Sequence, residues 1–138
     1  MKMERIEFCD LMVKAKEKSG ISTSDLSFAI KMQWATLRRF EKGVHNFNMK
    51  KAIDYLDILN AKICLLKNKK QHIIDNYTQL LQWCVESRTG IYTQRTLAEA
   101  IGCSYVNLAK IETEKSTMSV DIFLKIAEVL DFNIEIKQ

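Results

Sequence analysis

Apolar residues recur at helical spacing through most of this chain and at strand spacing in two short stretches. The helical period predicts helices over about 3–18, 23–30, 33–42 and 48–59, then again over about 72–88, 94–101, 104–113 and 119–130. Over 61–66 and 132–137 the period changes. Ile63 and Leu65 alternate with Lys62 and Cys64, and Ile134 and Ile136 alternate with Asn133, Glu135 and Lys137, as expected of strands with one buried face. With no Pro and only four Gly, the helix ends must be set largely by capping side chains. Ser22 or Thr23, Asn48, Thr93, Ser104 and Ser119 stand where N-caps are needed, while Gly20, Gly43, Gly90 and Gly102 mark stops or turns.

The order of elements occurs twice. A shift of 71 residues lays Leu26-Ser27-Phe28-Ala29-Ile30 on Leu97-Ala98-Glu99-Ala100-Ile101, and the same shift matches Leu37 with Leu108, Phe40 with Ile111, Ile63 with Ile134 and Leu65 with Ile136. Upstream the shift becomes 70, matching Leu11 with Leu81 and Gly20-Ile21 with Gly90-Ile91. Each copy is longer than an ordinary solenoid repeat and reads as a complete small module. The expected organisation is one unit over 1–66, a polar linker over 67–71 and a second unit over 72–138. A strand standing alone would leave its backbone N–H and C=O groups unpaired. The other copy supplies a partner, so 61–66 and 132–137 are expected to pair antiparallel as a two-stranded ribbon. The chain would then be a covalent pseudo-dimer about a pseudo-twofold axis.

Composition restricts the class further. The 138 residues are 47% hydrophobic and 28% charged, which suits a compact, ordered protein. No apolar run reaches the roughly 18 residues of a membrane span, and the N-terminal segment lacks a signal-peptide pattern, so a cytoplasmic location is expected. Cys9, Cys64, Cys84 and Cys103 show no CxxC spacing, and His45 and His72 do not complete a metal site. The cysteines read as reduced, mostly buried small hydrophobes. Paired carboxylates, a nucleophile with its base and a phosphate loop are likewise missing from the pattern, so neither catalysis nor a cofactor nor a small-molecule ligand is expected.

Charge separates the copies that apolar pattern unites. Residues 1–70 hold 15 Lys+Arg and 8 Asp+Glu, a net of +7, whereas residues 71–138 hold 6 and 9, a net of −3. A basic module suits a polyanion, since neutralised phosphates release counterions.

The short middle helices of each copy, joined by a tight turn, make a helix-turn-helix pattern, with Ala29 or Ala100 expected at the close-packed position between them. In the second copy Gln94 opens one helix, Leu97-Ala98 lie within it, Gly102 is in the turn and Ser104 caps the next helix. Leu108, Ile111 and Glu112 follow, and then Leu124-Lys125-Ile126-Ala127-Glu128-Val129-Leu130. This run closely resembles the lambdoid phage repressor and xenobiotic-response-element regulator family. The first copy resembles it through Leu26, Ala29, Leu37 and Arg39-Phe40-Glu41-Lys42-Gly43, with Lys31 in place of the turn glycine and Thr23 in place of the glutamine. The resemblance implies a mainly all-α fold of two tandem lambda-repressor-like units, each of four helices and a short C-terminal strand.

Leu37 with Phe40, and Leu108 with Ile111, must face the core, which leaves the opposite face of each third helix as the reader. The candidate base-reading residues are Gln33, Trp34, Thr36, Arg38 and Arg39 in the first copy and Ser104, Tyr105, Asn107 and Lys110 in the second. The resemblance places Arg39 and Lys110 at the position that enters the major groove, where a cation meets guanine O6 and N7. It places Thr23 and Gln94 at helix N-termini that bind phosphate, and Lys42 and Lys115 are further phosphate candidates. Trp34 and Tyr105 read either as contacts to thymine methyls and sugar or as a patch for a protein partner. Glu41 and Glu112 are expected to pair with a basic side chain elsewhere in the module. Glu112, Glu114 and Asp121 are expected near the path of a phosphate backbone, favouring the first copy as the stronger DNA contact. The expected function is sequence-specific DNA binding in transcription regulation, of bacterial or mobile-element type. The alternative is an antitoxin-like protein that also clasps a protein partner, and further self-association stays open.

Overall fold

The computed structural model describes residues 2–138. Its elements run α1 (Arg5–Ser19), α2 (Thr23–Ile30), α3 (Trp34–Glu41), α4 (Met49–Ile58), β1 (Lys62–Lys67), β2 (Lys70–Ile74), α5 (Tyr77–Arg88), α6 (Gln94–Ile101), α7 (Tyr105–Glu112), α8 (Val120–Leu130) and β3 (Asn133–Lys137). The fold is therefore mainly helical with one small antiparallel sheet. No helix among the described residues is long and apolar enough to cross a membrane.

Side-chain caps set most helix starts, as the polar residues predict. Ser22, Asn48, Thr93, Ser104 and Ser119 each accept a hydrogen bond from the backbone N–H three residues on, occupying a donor the helix itself cannot satisfy. Asn76 does the same for α5, so that helix begins at Tyr77 and not at 72.

The segment 67–71, expected as a linker, is instead the tip of a hairpin. Asn68 and Lys69 adopt φ of 52° and 63° between β1 and β2. A two-residue turn with both φ positive twists in the sense that the flanking strands require. Asn-Lys lacks the glycine that usually announces such a turn, which explains why the hairpin is hard to read. His72 of β2 lies 5.5 Å from the ring of Trp83 on α5, and Trp83 in turn meets Phe132 edge-on at 4.6 Å.

The sheet order is β2-β1-β3, so the expected two-stranded ribbon gains a third strand. β1 and β3 do pair antiparallel, with Ile63 opposite Ile136, Cys64 opposite Glu135 and Leu65 opposite Ile134. Exchanging the strands by the 71-residue shift turns the first of these pairs into the third and maps Cys64 opposite Glu135 onto itself. A second contact obeys the same relation. Asn48 bridges Ser119, which is its own counterpart at that shift, and Met49 N–H donates to Met118 O at 2.8 Å while Val120 N–H donates to Phe47 O at 2.7 Å.

The buried residues of both halves form one continuous core. Phe8 of α1 meets Phe123 of α8 edge-on at 6.5 Å, and α4 packs against α5. Ala29 and Ala100, expected between the middle helices, are both exposed. The small residue facing the core is Ala98, and Ser27 takes the matching place in the first half, where its hydroxyl donates to Met32 O. Two residues along a helix are a rotation of about 200°, so the alanine two positions on lies on the outer face. Cys9, Cys64 and Cys84 are buried as free thiols and Cys103 is half-buried. Burial pushes the Cys9 thiol up to about 11 and the Cys84 thiol up to about 12, so both are protonated fillers at neutral pH.

Lys31 adopts φ 60° where Gly102 of the second half adopts 75°. A left-handed non-glycine residue costs on the order of 1 kcal/mol. Lys31→Gly is therefore expected to raise the urea midpoint by the equivalent of about 1 kcal/mol; a lower midpoint would place the preference for lysine in contacts of its side chain.

Candidate nucleic-acid interface

Helices α3 and α7 each make two turns and are positioned from behind by two apolar side chains. On α3 Leu37 and Phe40 are buried, and Phe40 stacks between Phe47 and Tyr55 at 4.2 and 5.5 Å. On α7 Leu108 and Ile111 are buried in the same way. The opposite faces are turned outward. Gln33, Trp34, Thr36, Arg38 and Arg39 are exposed, as are Ser104, Tyr105 and Lys110, whereas Asn107 is half-buried.

Several of these side chains are held in place before any ligand arrives. The Arg38 guanidinium lies 5.0 Å over the ring of Trp34, four residues earlier on the same helix. Tyr105 occupies the matching position in the second half, and Arg95 from α6 lies over it at 4.5 Å. Arg95 is an arginine that sequence reasoning passed over; only the crossing of α6 and α7 brings it to this face. Arg39 Nη2 donates to His45 Nε2 at 2.8 Å, which requires the imidazole nitrogen to act as acceptor. A cleft of about 270 Å³ opens beside them, bordered by Thr36, Arg39, His45 and Lys51. Lys42 follows α3 and Lys115 follows α7, both exposed.

Behind each of α3 and α7 lies an ion pair that also engages the first residue of the preceding helix. In the first half Lys16 Nζ lies 3.1 Å from Glu41 Oε2 and donates to Thr23 Oγ1 at 2.9 Å, while Tyr55 Oη donates to the same carboxylate at 2.7 Å. Burial, aided by that carboxylate, pushes the Tyr55 phenol far above its ordinary range. In the second half Arg88 clasps Glu112 through Nε and Nη2, each at 2.6 Å, and Gln94 Nε2 donates to Glu112 Oε1 at 2.7 Å. The hydrogen bonds that Arg88 donates to Glu112 raise its pKa above the ordinary arginine value. Glu41 and Glu112 are thus structural, as the sequence suggests. Thr23 and Gln94, candidates for phosphate, have side chains already tied into these networks. Each network therefore fixes the N-terminus of α2 or α6; Gln94 keeps a second amide N–H for another acceptor.

The acids expected near a phosphate path are mostly answered by internal cations. Glu112 is held by Arg88, and Asp121 Oδ2 accepts from Arg5 Nη1 at 2.6 Å. Glu114 is exposed, in a left-handed turn residue at φ 61°. The net charge of −3 over residues 71–138 therefore overstates the negative field on the α7 face.

The geometry agrees with comparison to known proteins over part of the chain. A family model described as Helix-turn-helix matches residues 90–136, from the end of the α5 turn into β3. No curated protein and no solved structure matches. Over residues 90–136 the chain is thus similar to a phage-repressor-like helix-turn-helix, a fold of DNA-binding regulators.

Proposed function

We propose that this protein is a sequence-specific transcriptional regulator that reads an asymmetric DNA site with two non-identical helix-turn-helix units, joined in one chain as a pseudo-dimer. The observation that carries the reading is the reciprocity of two contacts between the halves. The β1–β3 ladder and the Asn48–Ser119 bridge are both preserved when the halves are exchanged by the 71-residue shift. Two such self-matched points, one at Cys64 and Glu135 and one at Asn48 and Ser119, define an axis. Dimeric repressors use a twofold axis to address two successive major grooves about 34 Å apart. Here α3 and α7 are the corresponding readers, and their unlike side chains call for unlike half-sites. With Glu112 and Asp121 paired internally, both halves are assigned a reading role, and the basic first half supplies more of the phosphate attraction.

Selection of bound sequences from a random duplex library with the full chain tests this. The expected product is a pair of different half-sites about 10 base pairs apart, centre to centre. Arg39→Ala should weaken binding by about 1–3 kcal/mol and relax base preference in one half-site only, and Lys110→Ala should do so in the other. A palindromic product, or loss of preference in the same half-site for both variants, would sink the two-reader reading.

A second reading, antitoxin-like binding of a protein partner with autoregulatory DNA binding, is favoured by one feature. Phe28 on α2 is 87% exposed although its shifted counterpart is Glu99. Phe28→Ser should leave DNA affinity unchanged in a fluorescence-anisotropy titration if this side chain serves a protein surface.

A further inference from the structure

We propose that Arg5 and Asp121 on one side, and Tyr77 and Lys50 on the other, form a two-sided clamp that sets the separation between the two DNA half-sites. The inference rests on the bipartite reading above and concerns which residues fix its geometry.

Arg5 is the first residue of α1, and Asp121 is the second residue of α8 in the opposite half. The guanidinium Nη1 reaches Asp121 Oδ2 at 2.6 Å while its Nε donates to Gly43 O at 3.1 Å. Gly43 lies in the turn that leaves α3. One side chain thus ties the exit of the first reader to the fourth helix of the other half. The attachment is close on the α1 side too. A Cβ built on Gly43 would stand 3.3 Å from Cys9 Sγ and 3.5 Å from Ile6 Cα, so the turn rests on the α1 backbone. Asp121 is also gripped through its own N–H, which donates to Asn46 Oδ1 at 3.2 Å, again across the halves.

The other side is built from residues that the repeat does not match: the shift of 70 lays Arg5 on Asp75, but α5 starts two residues later, and Tyr77 meets Lys50. Tyr77 is the first residue of α5, as Arg5 is of α1, and Lys50 is the second residue of α4, as Asp121 is of α8. The Lys50 ammonium lies 5.2 Å over the Tyr77 ring, and Tyr77 Oη accepts from Met118 N–H at 2.8 Å. An ion pair therefore stands where its counterpart is a cation–π contact. Both contacts join the N-terminus of a first helix to the N-terminus of the other half's fourth helix. They flank the backbone bridge at Asn48 and Ser119 on either side. The bridge and the β1–β3 ladder lie together on the pseudo-twofold axis and act as a pivot; the two lateral contacts, off that axis, oppose rotation about it. Rotation about that pivot would change the separation and angle of α3 and α7, which are the quantities that a fixed half-site spacing demands.

The ion pair is partly exposed, with side chains 25% and 42% accessible, so losing it should change orientation more than folding. The test measures affinity of the full chain for the selected bipartite duplex with the gap between half-sites lengthened or shortened by one or two base pairs. Wild type should favour one gap by about tenfold over its neighbours, because a rigid link makes the second contact effectively intramolecular at one geometry only. Arg5→Glu and Asp121→Arg singly should flatten that preference to about twofold, and Lys50→Ala should do the same from the other side. The exchanged pair Arg5→Glu with Asp121→Arg should restore the preference in part, since the ion pair returns while the bond to Gly43 O does not; a direct contact of Arg5 with DNA would allow no recovery. A sharp optimum retained in the single variants, or no recovery in the exchanged pair, overturns the clamp while leaving bipartite reading intact. Failure of wild type to select any bipartite site overturns the reading and the clamp with it.

Discussion

Glu112→Ala is expected to destabilise the protein by about 3 kcal/mol, lowering the melting temperature by about 10 °C. The Arg88 and Glu112 side chains are only 13% and 9% accessible, and the carboxylate takes two short bonds from the guanidinium and one from Gln94. Removing it leaves a guanidinium and an amide donor without their acceptor in a site that water barely reaches, and the cost of that stranded charge exceeds the net value of the pair itself. Glu112→Gln should cost less, because the amide oxygen still accepts one bond. Urea denaturation followed by far-ultraviolet circular dichroism gives the difference directly. A loss below about 1 kcal/mol would mean that the pair behaves as a solvated surface bridge. The functional consequence should be local, since the network holds α6 and α7 together and α7 is the helix proposed to read the second half-site.

Salt is expected to have the larger effect on DNA binding. If the two halves together neutralise about six phosphates, log affinity should fall with log salt with a slope of about −5, a loss of about 10³ between 50 and 200 mM. The distribution of charge sharpens the expectation. The first half carries a net of +7, so neutralising its cations singly should each reduce the slope by about one where that cation meets a phosphate. Lys42→Ala and Lys115→Ala are the direct comparisons, one per half. A slope near zero would show that the basic surface does not meet a polyanion at all.

Helices, caps and the strands β1 and β3 were legible because each depends on neighbours in sequence. A helical period declares a buried face within a few residues, and a serine or asparagine before it satisfies a donor three residues on. The β1–β3 pairing was legible for a different reason: an amphipathic strand without a neighbour is incomplete, and the repeat supplied one. β2 was not. Its Lys70, Gln71 and His72 look like a solvated linker, and only pairing against β1 and the contact of His72 with Trp83 give them a place. The small core residue between α2 and α3 was misplaced because Ala29 and Ser27 differ by two positions, and helical rotation is decided by the partner helix.

The candidate site divides in the same way. Apolar spacing on α3 and α7 was enough to say which face is free, and it named the exposed side chains without reference to any partner. It did not reveal that Arg95 covers Tyr105, that His45 receives Arg39, or that Arg5 crosses to Asp121. Those contacts join residues 6 to 116 positions apart, and no local pattern records them.

The sequence by itself determined the helical order, the strand periods and the uneven charge, because short-range sterics, capping and amphipathicity act within one or two turns of chain. Tertiary structure alone decided how the halves meet. The reciprocal bridge at Asn48 and Ser119, the pairing of Cys64 with Glu135 and the lateral contacts of Arg5 and Tyr77 depend on packing two surfaces in a single register. The same packing turns acids that looked repulsive into internal partners, since the sign of a charge is written in the chain but its neighbour is chosen by the fold.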